Sequence, residues 1–168
     1  MTTFDLRTLR IRSGDQARER VEIELEPLVL GGQTYEPTPN PAPGELTVTR
    51  ASSGTVLELS LDVFLHGPCF RCLQDAELAL DLRLREYQAT KPQSDDERTE
   101  YLEDDRLDLS AWARDAIALA LPEQILCRSD CAGLCPVCGK DLNTEPHEHV
   151  EERLDPRWEK LSELQKEA

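Results

Sequence analysis

The chain has 168 residues and a mass of 19.0 kDa, enough for one domain or one domain with a small appendage. With 19 Lys+Arg against 34 Asp+Glu, its net charge is −15 and its pI near 4.6. A surface so anionic argues against gripping a nucleic-acid backbone or an anionic membrane, both of which need cationic side chains, and favours basic protein partners. The longest apolar run, Ala116–Leu121, falls far short of the ~18 residues of a spanning helix. Charges at the N-terminus stand where a signal peptide needs an apolar stretch, so a cytoplasmic location is expected.

Residues 18–30 alternate, with Val21, Ile23 and Leu25 on one face and Glu22, Glu24 and Glu26 on the other, which predicts a half-buried strand. Glu36–Gly44, with proline at 37, 39, 41 and 43, predicts an extended loop without regular structure. Residues 45–50 and 55–65 alternate again around a Ser52-Ser53-Gly54 turn, with Leu59, Leu61, Val63 and Leu65 sharing a face. After Cys69-Phe70-Arg71-Cys72 comes another alternating run, with Leu78, Leu80, Leu82 and Leu84 in period two. The two runs predict a β-hairpin with thiols at its tip, in an antiparallel sheet with one wet face.

Residues 91–108 carry eight acids and three bases, net −5, and predict a mobile acidic loop. A helix opens at Asp108-Leu109-Ser110, buries Leu109, Trp112, Ala116, Ile117, Ala120 and Leu121, and stops at Pro122. A second short helix is expected after Asp155-Pro156, with Trp158, Leu161 and Leu164 on one face. The expected fold is therefore α+β: an antiparallel sheet with a cysteine-tipped hairpin, one or two helices and a zinc-knuckle C-terminal segment. The expected divisions are a β domain over 1–90, an acidic flexible loop over 91–107, and a helix-and-knuckle segment over 108–168 packed on the same domain.

The chemistry lies in six cysteines: Cys69, Cys72, Cys127, Cys131, Cys135 and Cys138. Without a signal sequence, paired C-x-x-C spacing points to metal rather than disulfides. Cys135-Pro136-Val137-Cys138-Gly139 has the form of a zinc knuckle, in which backbone N–H groups face the sulfurs and glycine permits the tight turn. A redox role is the weaker reading, because neither pair opens a helix after a strand. One closed, structural thiolate zinc is expected. The spacing leaves its ligands open. Cys127, Cys131, Cys135 and Cys138 can close a site alone, or Cys69 and Cys72 can join Cys135 and Cys138 across the fold. Adding His147 and His149 makes eight donors, which would suit two ions; but Glu145, Glu148, Glu151 and Glu152 surround that His pair and favour reading it as solvated.

Several motifs in order carry a resemblance: Gly67-Pro68-Cys69-Phe70-Arg71-Cys72-Leu73, then Asp108-Leu109, Leu119-Ala120-Leu121-Pro122, Leu126-Cys127 and Asp130-Cys131, then Gly133-Leu134-Cys135-Pro136-Val137-Cys138-Gly139, Asp141-Leu142-Asn143 and Asp155-Pro156-Arg157. Over roughly Leu59 to Leu164 the chain resembles the YceD family, formerly DUF177, of large ribosomal RNA subunit accumulation proteins. The resemblance implies a bacterial or plastid protein needed for accumulation of 23S-type rRNA, with no established enzymatic activity. Some members carry a C-x-C pair where His147 and His149 stand. The expectation is a non-enzymatic ribosome-biogenesis factor that binds a basic ribosomal protein or large-subunit assembly factor. Direct rRNA binding through the knuckles is the alternative, disfavoured by charge; Arg71 would be its phosphate contact, or would instead bond a nearby acid. An enzyme, thiol-redox or zinc-dependent, is a third reading: no Gly-rich phosphate loop, HExxH or nucleophile elbow occurs, and His66 stands alone.

Overall fold

A computed structural model describes residues 1–149, and the helix expected after Asp155 lies outside them. The chain divides into two compact units, Met1–Cys131 and Ala132–Ala168. The division falls inside the second cysteine segment.

The first unit is built on strands β1 (Thr3–Asp5), β2 (Gln16–Ile23), β3 (Leu28–Leu30), β4 (Gln33–Thr38), β5 (Ala42–Arg50), β6 (Gly54–Pro68), β7 (Asp75–Ala89), β8 (Leu102–Glu103) and β9 (Arg106–Asp108), followed by helix α1 (Leu109–Ala120). All pairings are antiparallel, as the alternation predicts. β6 organises the main sheet. Along one edge it pairs with β7 from Gly54–Ala89 to Pro68–Asp75; along the other it pairs first with β5 and then with β4. Leu57, Leu59, Leu61, Val63 and Leu65 are buried on its inner face. On the outer face, Glu58–Arg85 and Asp62–Arg83 pair across the strands at 3.9 and 3.5 Å, so that face is wet. Of the period-two leucines of β7, Leu82 is buried, while Leu78, Leu80 and Leu84 are half-buried against the core.

Three expectations are corrected. The strand read over 18–30 breaks at Glu24–Pro27 into β2 and β3, and β3 returns to β4 through Gly31 and Gly32, both at positive φ (59° and 82°), as a two-residue hairpin turn requires. The proline-rich 36–44 stretch is not a loop: β4 and β5 run through it and follow one another along β6, joined across the cis Thr38-Pro39 and Asn40-Pro41 bonds. Proline fits because Pro43 opposes Glu22 of β2 one residue before the β5–β6 register begins at Gly44–Leu61. The Asn40 side chain also replaces a strand partner, accepting from the Leu25 N–H at 3.1 Å and donating to the Leu25 carbonyl at 2.7 Å.

The third correction concerns residues 91–108. They hold a 3₁₀ turn at Asp95–Glu97 and strands β8 and β9, which form a small sheet in the order β1-β9-β8. Net charge misleads here because a few apolar groups suffice: Leu107 is fully buried, Thr99 is buried, and Tyr101 stacks on Trp112 with ring centroids 6.1 Å apart. Helix α1 begins where expected. The Asp108 carboxylate accepts from the Ala111 N–H at 3.0 Å, and Leu109, Trp112, Ala113 and Ile117 face the core. Ala120, expected on that face, is exposed; Ala113 takes its place inside.

Candidate metal centre

The β6–β7 hairpin carries Cys69 and Cys72 at its tip, as its alternation predicts. The tip closes tightly: the Cys69 N–H donates to the Gln74 carbonyl at 2.6 Å and the Leu73 N–H to the Cys69 carbonyl at 3.0 Å. Leu73 completes the turn at a φ of 61°, a left-handed conformation uncommon for leucine. Behind the tip, Tyr35 of β4 is buried, and its hydroxyl donates to the Pro68 carbonyl at 2.9 Å, just before Cys69.

The segment after α1 returns to this tip. The Phe70 N–H donates to the Ile125 carbonyl at 2.9 Å, and the Arg71 guanidinium to the Cys131 carbonyl at 3.0 Å. Arg71 thus ties the second cysteine segment to the first. Four thiols meet as a result. Cys69 Sγ lies 3.8 Å from Cys131 Sγ, Cys72 Sγ lies 3.6 Å from Cys127 Sγ, and all four sulfurs are within 4.8 Å of one another. Sulfurs at the ~2.3 Å zinc–thiolate distance on tetrahedral corners would sit roughly 3.8 Å apart, so the four thiols could hold such an ion with small side-chain adjustments. Cys69, Cys72 and Cys131 are buried and Cys127 is exposed.

The electrostatics suit cation capture. Burial raises the Cys69 thiol, but the Cys127, Cys72 and Arg71 backbone N–H groups that reach its sulfur outweigh this and bring it down to about 6. Burial pushes Cys72 up to about 12 and also raises Cys127. Thiols bind a metal as thiolates, so loading this cluster would release protons.

Cys135 and Cys138 do not join this group. In the second unit the Cys135 N–H donates to the Lys140 carbonyl at 2.8 Å, the Gly139 N–H donates to the Cys135 carbonyl at 2.8 Å, and Gly139 sits at a φ of 73°. This is the knuckle predicted by the motif. The Cys138 N–H is the main cause that lowers Cys135 to about 6. The donors beside this pair are His147 and His149, with Nε2 of His147 3.1 Å from Cys138 Sγ. The two imidazoles lie beside the knuckle thiols, with His147 half-buried and His149 exposed. The donor atoms that lie within 4.8 Å of one another form two groups, Cys69, Cys72, Cys127 and Cys131 in the first unit and Cys135, Cys138, His147 and His149 in the second. The His147-x-His149 spacing downstream of the knuckle was the signal in the sequence that could point to this group.

The first unit is thus an antiparallel β protein whose longest hairpin ends in a four-thiol cluster able to hold a metal ion. A family model described as "Large ribosomal RNA subunit accumulation protein YceD" matches residues 57–165, and the chain belongs to that family. The match begins within β6 and spans every cysteine of both clusters. Among curated relatives, the uncharacterized protein Rv2926c of Mycobacterium tuberculosis is 38% identical over 125 residues, covering 71% of this chain and 60% of that protein. The uncharacterized protein ML1660 of Mycobacterium leprae is 36% identical over 125 residues, 71% of this chain and 57% of that one. The uncharacterized protein YlbN of Bacillus subtilis is 30% identical over 117 residues, 65% of this chain and 67% of YlbN. The chain spans about 60% of the length of the mycobacterial relatives it matches. No solved structure matches. The family's description implies a role in accumulation of the large ribosomal RNA subunit, and no helix among the described residues is long and apolar enough to cross a membrane.

Proposed function

We propose that this chain is a non-enzymatic cytoplasmic ribosome-biogenesis factor that supports 23S-type rRNA accumulation by binding a basic ribosomal protein or large-subunit assembly factor. Family membership supports the pathway, and the net charge of −15 carries the partner class. A surface of that sign attracts the cationic proteins that later coat rRNA and repels rRNA itself. The acidic rim over 95–105, seven acids against Arg98, is held in place by β8, β9 and the 3₁₀ turn rather than dispersed in a loop. Fixed acids present a defined potential to a partner, which a collapsing loop would not.

Cys69, Cys72, Cys127 and Cys131 hold a structural zinc in this reading. Their 3.6 and 3.8 Å sulfur separations support it. Soft thiolates favour zinc over hard cations, and four protein ligands leave no position open for catalysis. Zinc there would pin the hairpin tip to the segment after α1.

The test is a crosslinking pull-down from cells, followed by salt titration of the captured complex. Basic ribosomal proteins or assembly factors should be enriched, and their affinity should fall steeply with ionic strength. Capture without basic proteins, affinity indifferent to salt, or tight binding of naked rRNA at moderate salt would overturn the reading.

A further inference from the structure

The second unit poses a separate question: what holds it folded. Among its described residues, Ala132–His149, only Gly133 and Cys135 are buried; Leu134 and Leu142 are half-buried, and Val137 is 67% exposed. Within these residues a metal staple would supply the constraint that buried apolar side chains do not.

The backbone nonetheless has a defined shape. Leu134 and Asp141 form an antiparallel bridge, and the Leu142 N–H donates to the Gly133 carbonyl at 2.9 Å. Gly133, at a φ of 79°, adopts a turn that a side chain would oppose. The Asp141 carboxylate accepts from the Asn143 N–H at 2.9 Å, and the Asp141 carbonyl accepts from the Glu145 N–H at 2.9 Å. These turns carry the chain back towards the knuckle and deliver His147 to it.

The donor set is specific. Ligand atoms of Cys135, Cys138, His147 and His149 all lie within 4.8 Å of one another. The Glu145 carbonyl lies 2.7 Å from Nδ1 of His147; a proton on Nδ1 would bond it and leave Nε2, 3.1 Å from Cys138 Sγ, as the metal-binding nitrogen. Sulfur and nitrogen at ordinary zinc distances on tetrahedral corners would lie roughly 3.5 Å apart, a small adjustment from that separation. The two imidazoles meet edge to face with centroids 4.9 Å apart. Two thiolates and two imidazoles on tetrahedral corners suit zinc, whereas hard cations prefer oxygen.

We propose that Cys135, Cys138, His147 and His149 form a second zinc site, loaded independently of the four-cysteine cluster, that folds residues 132–149 and exchanges its ion readily. Ready exchange follows from exposure: Cys138 and His149 are exposed, whereas three of the four cysteines of the first cluster are buried. This assignment does not depend on the partner proposed above.

The test is native mass spectrometry of the zinc-loaded full chain, combined with peptide-mapped alkylation. The wild-type chain should carry two zinc ions. The double variant His147→Ala/His149→Ala should carry one, with the β-sheet far-UV signature of the first unit retained and Cys69, Cys72 and Cys131 still protected. Limited EDTA should remove one ion from the wild type first and expose Cys135 and Cys138 to iodoacetamide while the first cluster stays shielded. One ion in the wild type with Cys69 and Cys72 protected would overturn the second site and leave the first standing. A double variant that still binds two ions, or Cys135 and Cys138 reacting equally fast with and without zinc, would overturn it as well.

Discussion

Substituting Gly67 with alanine should be the most damaging one-methyl change near the thiol cluster. Gly67 lies on β6, two residues before Cys69, where the ring of Tyr35 crosses the strand. A Cβ there would stand 2.5 Å from Tyr35 Cδ1, 2.7 Å from the Thr34 carbonyl oxygen and 2.9 Å from Tyr35 Cε1. Ordinary contact begins near 3.4 Å, so β4 and β6 would have to part by most of an ångström. Tyr35 cannot swing away freely, because it is 1% exposed and its hydroxyl is tied to the Pro68 carbonyl. Overpacking of this kind costs about 2–3 kcal/mol. In a chain of this size that lowers Tm by roughly 4–12 °C, read by far-UV circular dichroism of the zinc-loaded protein. Tyr35→Phe, which removes only the hydroxyl bond, should cost about 1 kcal/mol, or roughly 2–4 °C. The cause is isolated by a cycle with Tyr35→Ala. Without the ring two of the three close approaches vanish, and the penalty for Gly67→Ala should shrink by at least about 1 kcal/mol. A shift below about 1 °C for Gly67→Ala, or costs additive to within about 0.5 kcal/mol, would refute the steric reasoning.

Cys72→Ser should release the metal of the first cluster yet leave Cys135 and Cys138 as resistant to alkylation as in the wild type, since their partners are His147 and His149; loss of protection at both pairs would contradict the partition. Burial and the nearby Asp115 carboxylate push Tyr101 up to about 12 from an ordinary 10.0. Between those values the folded chain holds a proton that the unfolded chain has released, so stability is fully present below pH 10.0 and falls as pH rises towards about 12. Urea unfolding across that window should therefore show a shallower decline in Tyr101→Phe than in the wild type, and identical slopes would dismiss the effect. Asp108→Ala should cost about 1 kcal/mol in urea unfolding by removing the cap on the Ala111 N–H, whereas Asp108→Asn should sit close to the wild type; equal losses for both would point to charge rather than capping.

Much of the fold was legible because alternation is a local property. Val21, Ile23 and Leu25, and then Leu59 through Leu65, face inward as their spacing requires, and the C-x-x-C between two alternating runs lies at a hairpin tip. Asp108 opens the helix because a cap needs only neighbours three residues away. Less legible were the stretches whose partners are distant. The prolines over 37–43 looked incompatible with strands until the 15-residue β6 offered an edge to both β4 and β5 and the side chain of Asn40 satisfied Leu25. The acids over 91–108 masked Leu107 and Tyr101, whose burial depends on β1 and Trp112.

The cysteines mark the same boundary. A C-x-x-C pair can bite one ion because its two cysteines are only three positions apart, so the sequence by itself determined that thiol pairs exist, where they turn, and that softness selects the metal class. Which pair meets which was decided by tertiary structure alone. Coordination depends on sulfur and nitrogen atoms converging within a few ångströms, and that convergence is set by the length of β6 and β7, by the Arg71 bond to the Cys131 carbonyl, and by the turns at Asp141 that deliver His147.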